Sequence, residues 1–522
     1  METSPLTISD IIERMQQVVP PGSPPPEDPN VLAQLRQLTQ DLIQAYQAAG
    51  RLQGDPFYEA WTRPLHLYET EVRHELQGKV VLVTGGEGCV GTYLINKLIE
   101  LGPKRIVSID KARGSGSEVR QPIAGQADNV VLYAADIRDY DATQQIFEAE
   151  KPEIVFHVAA QRHPGLAEKQ IRETVTSNIF GTINIIRLCE EFGVQHCIFS
   201  STGKASRYFT AEVYAASKKV AEWLFAQATQ RGHVRYGMVR FTHMLENSAM
   251  CEQISGRVEQ GLPVNIHAPD RYVAGQNVGE AVHLLLNGLV LSERDRLKFL
   301  LVRNLGWPTE SLEVALYKIM ESGQDLPIYF QGVQPGYEES FFLGQVDWDD
   351  QIDINTLINA LETAYNSSIS SSGDMIVADL VPFSAATLDA QLQTLKALCD
   401  DLSVPEPAIK QGLAEVIRQV AKTNFLEASP KKALQILRWG VNPKRFQQGD
   451  LKLEAYQDIV EILVQSLCDR LSNDVLKDCN VSTQDCEELL DVLATLPSIQ
   501  SEVARMRSGL SEDASGRVAA TL

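Results

Sequence analysis

Tyr214 and Lys218 stand four residues apart in TyrAlaAlaSerLys, shortly after the run SerSerThr at 200–202. On a helix that spacing puts both side chains on one face. An ammonium beside a phenol lowers the phenol's pKa, and the oxygen can then take the proton of an alcohol. Thr202 is placed to hold the same alcohol oxygen. A Tyr-x-x-x-Lys by itself recurs by chance in many chains, so the elements that position it decide its meaning.

An alcohol that loses a proton and becomes a ketone must also lose a hydride, and the stretch KVVLVTGGEGCVG at 79–91 offers a place for the acceptor. Val80 to Thr84 form a nearly unbroken apolar, β-branched run, as in a strand buried on both faces of a parallel sheet. Gly85 can make the tight turn out of that strand, Gly88 can let backbone approach a pyrophosphate, and Gly91 can let the next helix pack close. Leu94, Leu98 and Leu101 mark that helix, whose N-terminus would face the phosphates. A second run, ArgIleValSerIle at 105–109, ends in Asp110, where such folds keep an acid for the adenosine ribose. The cofactor implied is NAD or NADP: Asp110 favours NAD, whereas Lys111 and Arg113 could accept a 2′-phosphate.

The elements between these motifs read as α/β. Strands are expected at 105–110, 129–134, 153–159, 195–201 and 235–241 with helices between, which implies a Rossmann-like, doubly wound parallel sheet within 79–345. Asp136, in AlaAspIleArgAsp, could receive the adenine amino group. A smaller substrate lobe is expected from about 243 to 345, with short β runs at 263–266, 298–302 and 327–330. Residues 1–78 read as an N-terminal helical arm. Its proline-rich stretch at 20–29 is a stiff connector, Leu32, Leu35, Leu38 and Leu42 form one helical face, and Phe57, Tyr58, Trp61 and Tyr68 form an aromatic cluster expected to bury itself on the main domain or a second subunit. The serine-rich stretch 367–373, within 346–373, reads as a flexible linker. Residues 374–522 read as an all-helical domain for assembly or partner contact, with Ile459, Ile462, Leu463 and Leu467 at helical spacing and a frayed end from about 508.

Over 522 residues the chain is 44% hydrophobic and 22% charged, with a formal net charge of -21. So acidic a surface excludes nucleic acid as the natural partner. Eight cysteines lie scattered, at 89, 189, 197, 251, 399, 468, 479 and 486, with no Cys-x-x-Cys, which favours reduced thiols over disulfides or a metal site. No apolar run approaches the roughly 18 residues of a membrane span, and no secretory leader is apparent. The expectation is a cytoplasmic protein that forms a homo-oligomer.

Longer stretches carry a specific resemblance. HisValAlaAlaGlnArgHisProGlyLeuAlaGlu at 157–168, SerAsnIlePheGlyThr at 177–182 and SerThrGlyLysAla at 201–205, followed by the Tyr214 motif, resemble the capsular polysaccharide biosynthesis branch of the extended short-chain dehydrogenases/reductases. ValArgPhe at 239–241, AspArgTyr at 270–272 and GlnProGlyTyrGlu at 334–338 extend the likeness over about 78–345. These are the soluble 4,6-dehydratases and epimerases of UDP-N-acetylhexosamines. The resemblance implies cofactor contacts at Cys89, Val90, Ile137, Ala159 and Ala160 besides those above, with Tyr214 and Lys218 also touching the cofactor. It implies substrate contacts at Arg162, His163, Glu168, Asn178, His243 and Arg271. It also implies a mechanism: oxidation at carbon 4, loss of the carbon 5 proton with departure of the carbon 6 hydroxyl, and return of hydride to carbon 6.

In the family a Thr-Asp-Lys triplet serves the elimination, and here it reads Thr202, Gly203, Lys204. Lys204 is the candidate carbon 5 base, and the acid is missing; His163 or Glu168 could replace it. An arginine that meets the diphosphate in the family is Gln334, an asparagine is His243, and the loop from Tyr208 to Tyr214 is about two residues longer. Besides the dehydratase, two readings therefore stay open: a ketoreductase or 4-epimerase, neither of which needs elimination, and a cofactor-binding scaffold with weakened catalysis.

Overall fold

The computed structural model describes residues 7–111, 128–349 and 354–519, with side chains to 511. The chain forms two units, one of residues 1–66, 241–283 and 304–338, the other of 67–240, 284–303 and 339–522.

The larger unit is built on nine strands: β1 (Val80–Thr84), β2 (Arg105–Asp110), β3 (Val130–Ala134), β4 (Ile154–His157), β5 (His196–Thr202), β6 (Arg235–Phe241), β7 (Lys298–Val302), β8 (Ser367–Ile369) and β9 (Met375–Asp379). Their order is β8-β9-β7-β6-β5-β4-β1-β2-β3. β1 pairs in parallel with both β2 and β4, and parallel pairing continues from β2 to β3, β4 to β5 and β6 to β7. The core is thus a doubly wound sheet with its switch point between β1 and β4, where open α/β sheets bind ligands outside the strands' carboxyl ends. Every residue of β1, β4 and β5 is buried. That burial explains the nearly continuous apolar run of β1, since helices cover both faces of such a sheet.

Two expectations are corrected here. The run 298–302 belongs to this main sheet as β7, not to the smaller lobe. The serine-rich stretch is no linker: Ser367–Ile369 is an edge strand antiparallel to β9, which is itself antiparallel to β7. Gly373, at φ +82°, closes the hairpin between them. An edge strand needs only its backbone to pair, so serines serve where a core strand would need valines. The helices of the C-terminal region therefore begin at Ala385, after the sheet is complete.

Four helices of this unit matter for the site: α1 (Cys89–Leu101), α2 (Val213–Gln230), α3 (Ala385–Asp400) and α4 (Glu406–Glu427). Ile459, Ile462, Leu463 and Leu467 pack with Phe425 of α4 and with Tyr208, Phe342 and Leu361 in one apolar cluster. The C-terminal helices thus share a core with the loop that leads into α2.

In the smaller unit the N-terminal helices Ile8–Val18 and Pro29–Ala48 join the lobe. Ile11, Met15, Leu35, Leu42 and Tyr46 pack with Val264, Leu312, Leu316, Ile328 and Phe330. Asp28 caps the second helix and Pro29 opens it. Arg51 binds Glu310 and Glu313, and Arg63 binds Glu280. The aromatic cluster does not bury as a set: Phe57 is enclosed, Tyr58 and Trp61 face solvent, and Tyr68 lies in the larger unit with its hydroxyl 2.8 Å from Ser371. Among the described residues no helix is long and apolar enough to cross a membrane.

Candidate active site

The glycine turn is built from bare backbone. Gly85 has φ +74°, and a Cβ there would lie 2.7 Å from the amide nitrogen of Ala159, just past β4. At Gly91 a Cβ would fall 2.1 Å from the carbonyl oxygen of Gly85, so α1 begins hard against the turn. Gly88 is the N-cap of α1 and offers no side chain, which leaves the Cys89, Val90 and Gly91 turn in the geometry that receives a phosphate on backbone amides. Asp110 closes β2 and accepts a 3.0 Å bond from the amide of Glu87, which ties the strand end to the turn. This cradle fits a dinucleotide pyrophosphate.

Around the adenosine end, burial works to raise the pKa of Asp136, but the bonds from Arg138 and the charge of Lys111 outweigh it and the net shift is down. Ile137 packs where a Cβ on Gly181 would reach, 2.8 Å away. Lys111 is held by Glu173 at 2.8 Å. Arg113 lies outside the described residues. Ala159 donates to Thr84 Oγ1 at 3.3 Å, and Ala160 beside it is half-buried.

On the neighbouring strand end Thr202 closes β5 and its hydroxyl bonds the phenol of Tyr214, in the first turn of α2. Burial raises the phenol's pKa, against the Thr202 bond and the charge of Arg162, and the net direction is up. Lys218 Nζ is 4.2 Å over the Phe199 ring, and burial, opposed by Glu222, brings its pKa down to about 7. Behind it, Thr84 Oγ1 lies 2.7 Å from His157 Nδ1 and Thr182 Oγ1 2.9 Å from Nε2. That pairing joins β1 to β4 and to the helix Gly181–Glu191.

The start of α2 is held by carboxylates from distant parts of the chain. Glu168 Oε1 accepts the amide of Val213 at 2.8 Å, and Glu339 Oε1 accepts those of Ala211 and Glu212 at 2.6 and 3.2 Å. Acids at a helix N-terminus satisfy its unpaired donors and complement its dipole. One turn past Lys218, Glu222 accepts Ser201 Oγ at 2.6 Å and the guanidinium of Arg240, which also binds Glu362 at 2.6 Å, all of them buried.

Lys204 Nζ lies 2.5 Å from Glu212 Oε2, and Arg207 lies 3.1 Å from that oxygen while also binding Glu339. Burial pulls the pKa of Lys204 down, against the pull of Glu212, and the net shift is down. A Cβ on Gly203 would fall 2.6 Å from Leu357 Cγ, so the space beside it is filled. The loop before Tyr214 packs against α4. The Tyr208 ring lies 5.0 Å from that of Phe425, and Arg418 sits 5.1 Å over Phe209.

Three residues expected to face substrate have hydrogen-bond partners within the chain. His163 Nδ1 accepts the amide of Leu166 at 3.2 Å and caps the turn Pro164–Ala167. Glu168 spends its second oxygen on Lys410 of α4, at 2.6 Å. Asn178 accepts from the Gln161 amide and donates to the Gln161 carbonyl and to Ser217 Oγ, at 2.8, 3.1 and 2.9 Å, so its amide fixes the loop after β4. The partners of Glu168 and Asn178 are supplied by the tertiary fold, whereas that of His163 is local. In the smaller unit His243 Nε2 is 2.5 Å from Ser248 Oγ and burial brings its pKa to about 4; Arg271 lies 3.8 Å from Asp270. Glu212, Glu222, Arg240 and Glu339 were not anticipated, because nothing in their neighbourhood of sequence separates a buried acid or base from a solvated one.

The sheet order, the glycine turn and the Thr202–Tyr214–Lys218 constellation together define an extended short-chain dehydrogenase/reductase. The chain belongs to the polysaccharide biosynthesis protein family, whose model matches residues 81–352, just over half of its length. It is 26% identical over 287 residues to the probable polysaccharide biosynthesis protein EpsC of Bacillus subtilis, over 53% of this chain and 47% of that one. The capsular polysaccharide biosynthesis protein CapD of Staphylococcus aureus gives the same figures. A UDP-N-acetylglucosamine 4,6-dehydratase (inverting) of Campylobacter jejuni is 28% identical over 171 residues, 32% of this chain and 49% of that one. The chain thus spans about half the length of the curated relatives it matches.

Proposed function

We propose that the larger unit is an NAD-dependent enzyme that oxidises a nucleotide sugar at carbon 4, with a UDP-N-acetylhexosamine as substrate class and 4,6-dehydration as the outcome. The observation that carries this is the meeting of Thr202 and Tyr214 at the end of β5, in the same sheet whose β1 ends in the glycine cradle. The similarity to a UDP-N-acetylglucosamine 4,6-dehydratase supports the substrate class. Bound in the cradle, the nicotinamide cofactor would accept and return a hydride. NAD is favoured over NADP because Asp110 stands at the ribose position and Lys111 is engaged with Glu173.

Thr202 holds the carbon 4 hydroxyl and Tyr214 Oη takes its proton. The charge of Arg162, which already opposes the effect of burial on the phenol, makes that transfer easier. Lys218 sits one helical turn on and carries the proton onward. Lys204, whose pKa burial pulls down, is the base for carbon 5. A 4-epimerase or ketoreductase is the second reading, favoured by the filled space at Gly203, since neither reaction needs an acid there.

Incubation with UDP-N-acetylglucosamine and NAD, followed by mass spectrometry, tests the proposal: a 4-keto-6-deoxy product is expected. In Tyr214→Phe, hydride transfer should fall about 100- to 10,000-fold, the usual worth of a general acid–base group. Unchanged hydride transfer in that variant would remove the reading, and a carbon 4 epimer without loss of water would favour the second one.

A further inference from the structure

Departure of a carbon 6 hydroxyl needs a proton, because hydroxide is a poor leaving group. Gly203 cannot supply one, and Leu357 fills the place where a side chain would stand. The acids nearby are mostly spent. Glu168 uses both oxygens on Val213 and Lys410. Glu339 uses one oxygen on the Ala211 and Glu212 amides and the other on Arg207 and Thr210. His163 caps a turn. Glu212 differs. It lies two residues before Tyr214, its side chain is 5% exposed, Oε2 meets Lys204 and Arg207, and Oε1 is buried with no partner among the described residues. A buried carboxyl oxygen left unpaired costs about 1–3 kcal/mol, and a substrate hydroxyl is a partner that would satisfy it.

We propose that Glu212 is the proton donor to the hydroxyl leaving carbon 6, acting from Oε1 while Lys204 takes the proton of carbon 5. This rests on the reading that the sugar is first oxidised at carbon 4. The step starts from the form of the pair in which Lys204 is the amine and Glu212 carries a proton on Oε1. The lone pair of Lys204 Nζ takes the carbon 5 proton, the electrons of that C–H bond form the carbon 5–carbon 6 double bond, the carbon 6–oxygen bond breaks, and the Oε1 proton joins the departing oxygen as water. After the step the pair is ammonium and carboxylate, joined across the 2.5 Å contact. The net charge of the pair does not change, and the two ions that form do so already paired. Arg207 and Glu339 beside it balance one another.

The test uses the full chain, UDP-N-acetylglucosamine and its 6-deoxy-6-fluoro analogue. Fluoride leaves with far less help from an acid than hydroxide does. In Glu212→Gln, elimination of water should fall about 100- to 10,000-fold while reduction of bound nicotinamide on the first turnover stays within about threefold of wild type. Fluoride release should stay within about tenfold. Equal loss of water and fluoride release would mark a structural role and overturn the proposal, as would undiminished elimination of water. A wild-type protein that oxidises carbon 4 yet releases no water overturns it and leaves the reading of carbon 4 oxidation standing. A wild-type protein that reduces no nicotinamide with any nucleotide sugar removes that reading and this proposal together.

Discussion

At the scale of single residues, Gly203 shows how an apparent defect can be a packing decision. In sequence it is a catalytic triplet missing its acid. In the fold, Leu357 lies 2.6 Å from where a Cβ would stand and is itself only 2% exposed, so the site has closed over the position. Restoring the acid should therefore not restore a function. Gly203→Asp is expected to destabilise the protein by about 1–3 kcal/mol through overpacking, read as a lower urea midpoint with unchanged slope. Leu357→Ala in the same chain should recover part of that loss, because the two positions share one space. A Gly203→Asp variant as stable as the parent would show that Leu357 moves aside freely. The residues that sequence could identify were those whose chemistry is local: a glycine turn, a Tyr-x-x-x-Lys and an acid at the end of a strand. Glu212 and Glu339 escaped, because their roles come from burial and from partners such as Lys204 and Ala211 that only the folded loop brings near.

At the scale of elements, strands buried on both faces announce themselves. The valines of β1 and the apolar run of β2 need no context to be read. The hairpin of β8 and β9 was illegible for the opposite reason: its edge strand is carried by backbone pairing, and its serines look like linker. β7 was legible as a strand but not as a neighbour of β6, since a parallel partner is reached by a long crossover that local pattern does not describe. Arg240 joins these elements. From β6 it binds Glu222 of α2, Glu362 and the carbonyl of Leu357, with all three side chains buried. Replacing it by leucine would leave two carboxylates facing each other without a cation. Arg240→Leu should cost about 3–5 kcal/mol in denaturant unfolding, and the α2 turn that carries Lys218 should lose protection in hydrogen exchange. A loss below about 1 kcal/mol would mean that Glu222 and Glu362 find other partners.

At the scale of the whole molecule, stability is tied to proton balance through histidines that fold in the neutral state. Burial brings His157 to about 3 and both His196 and His243 to about 4, from an ordinary value of 6.5. His157 is held between two threonine hydroxyls in the larger unit, and His243 beside Ser248 in the smaller one. Both units thus carry the same dependence. As pH falls below 6.5 the unfolded chain takes up protons that the folded chain refuses, so unfolding is favoured. Each such group contributes up to about 1.4 kcal/mol per pH unit. The stability these residues supply is complete above pH 6.5 and is lost as pH falls toward their folded values. Between pH 6.5 and 5 carboxylates of ordinary pKa remain ionised, so a steep fall of melting temperature in that window belongs to the histidines. His157→Asn should flatten the fall by about one proton's worth, read from unfolding free energy against pH. A melting temperature that stays level down to pH 5 would mean that these imidazoles accept protons within the fold, and the paired threonines of β1 and the helix Gly181–Glu191 would then have to part to admit the charge.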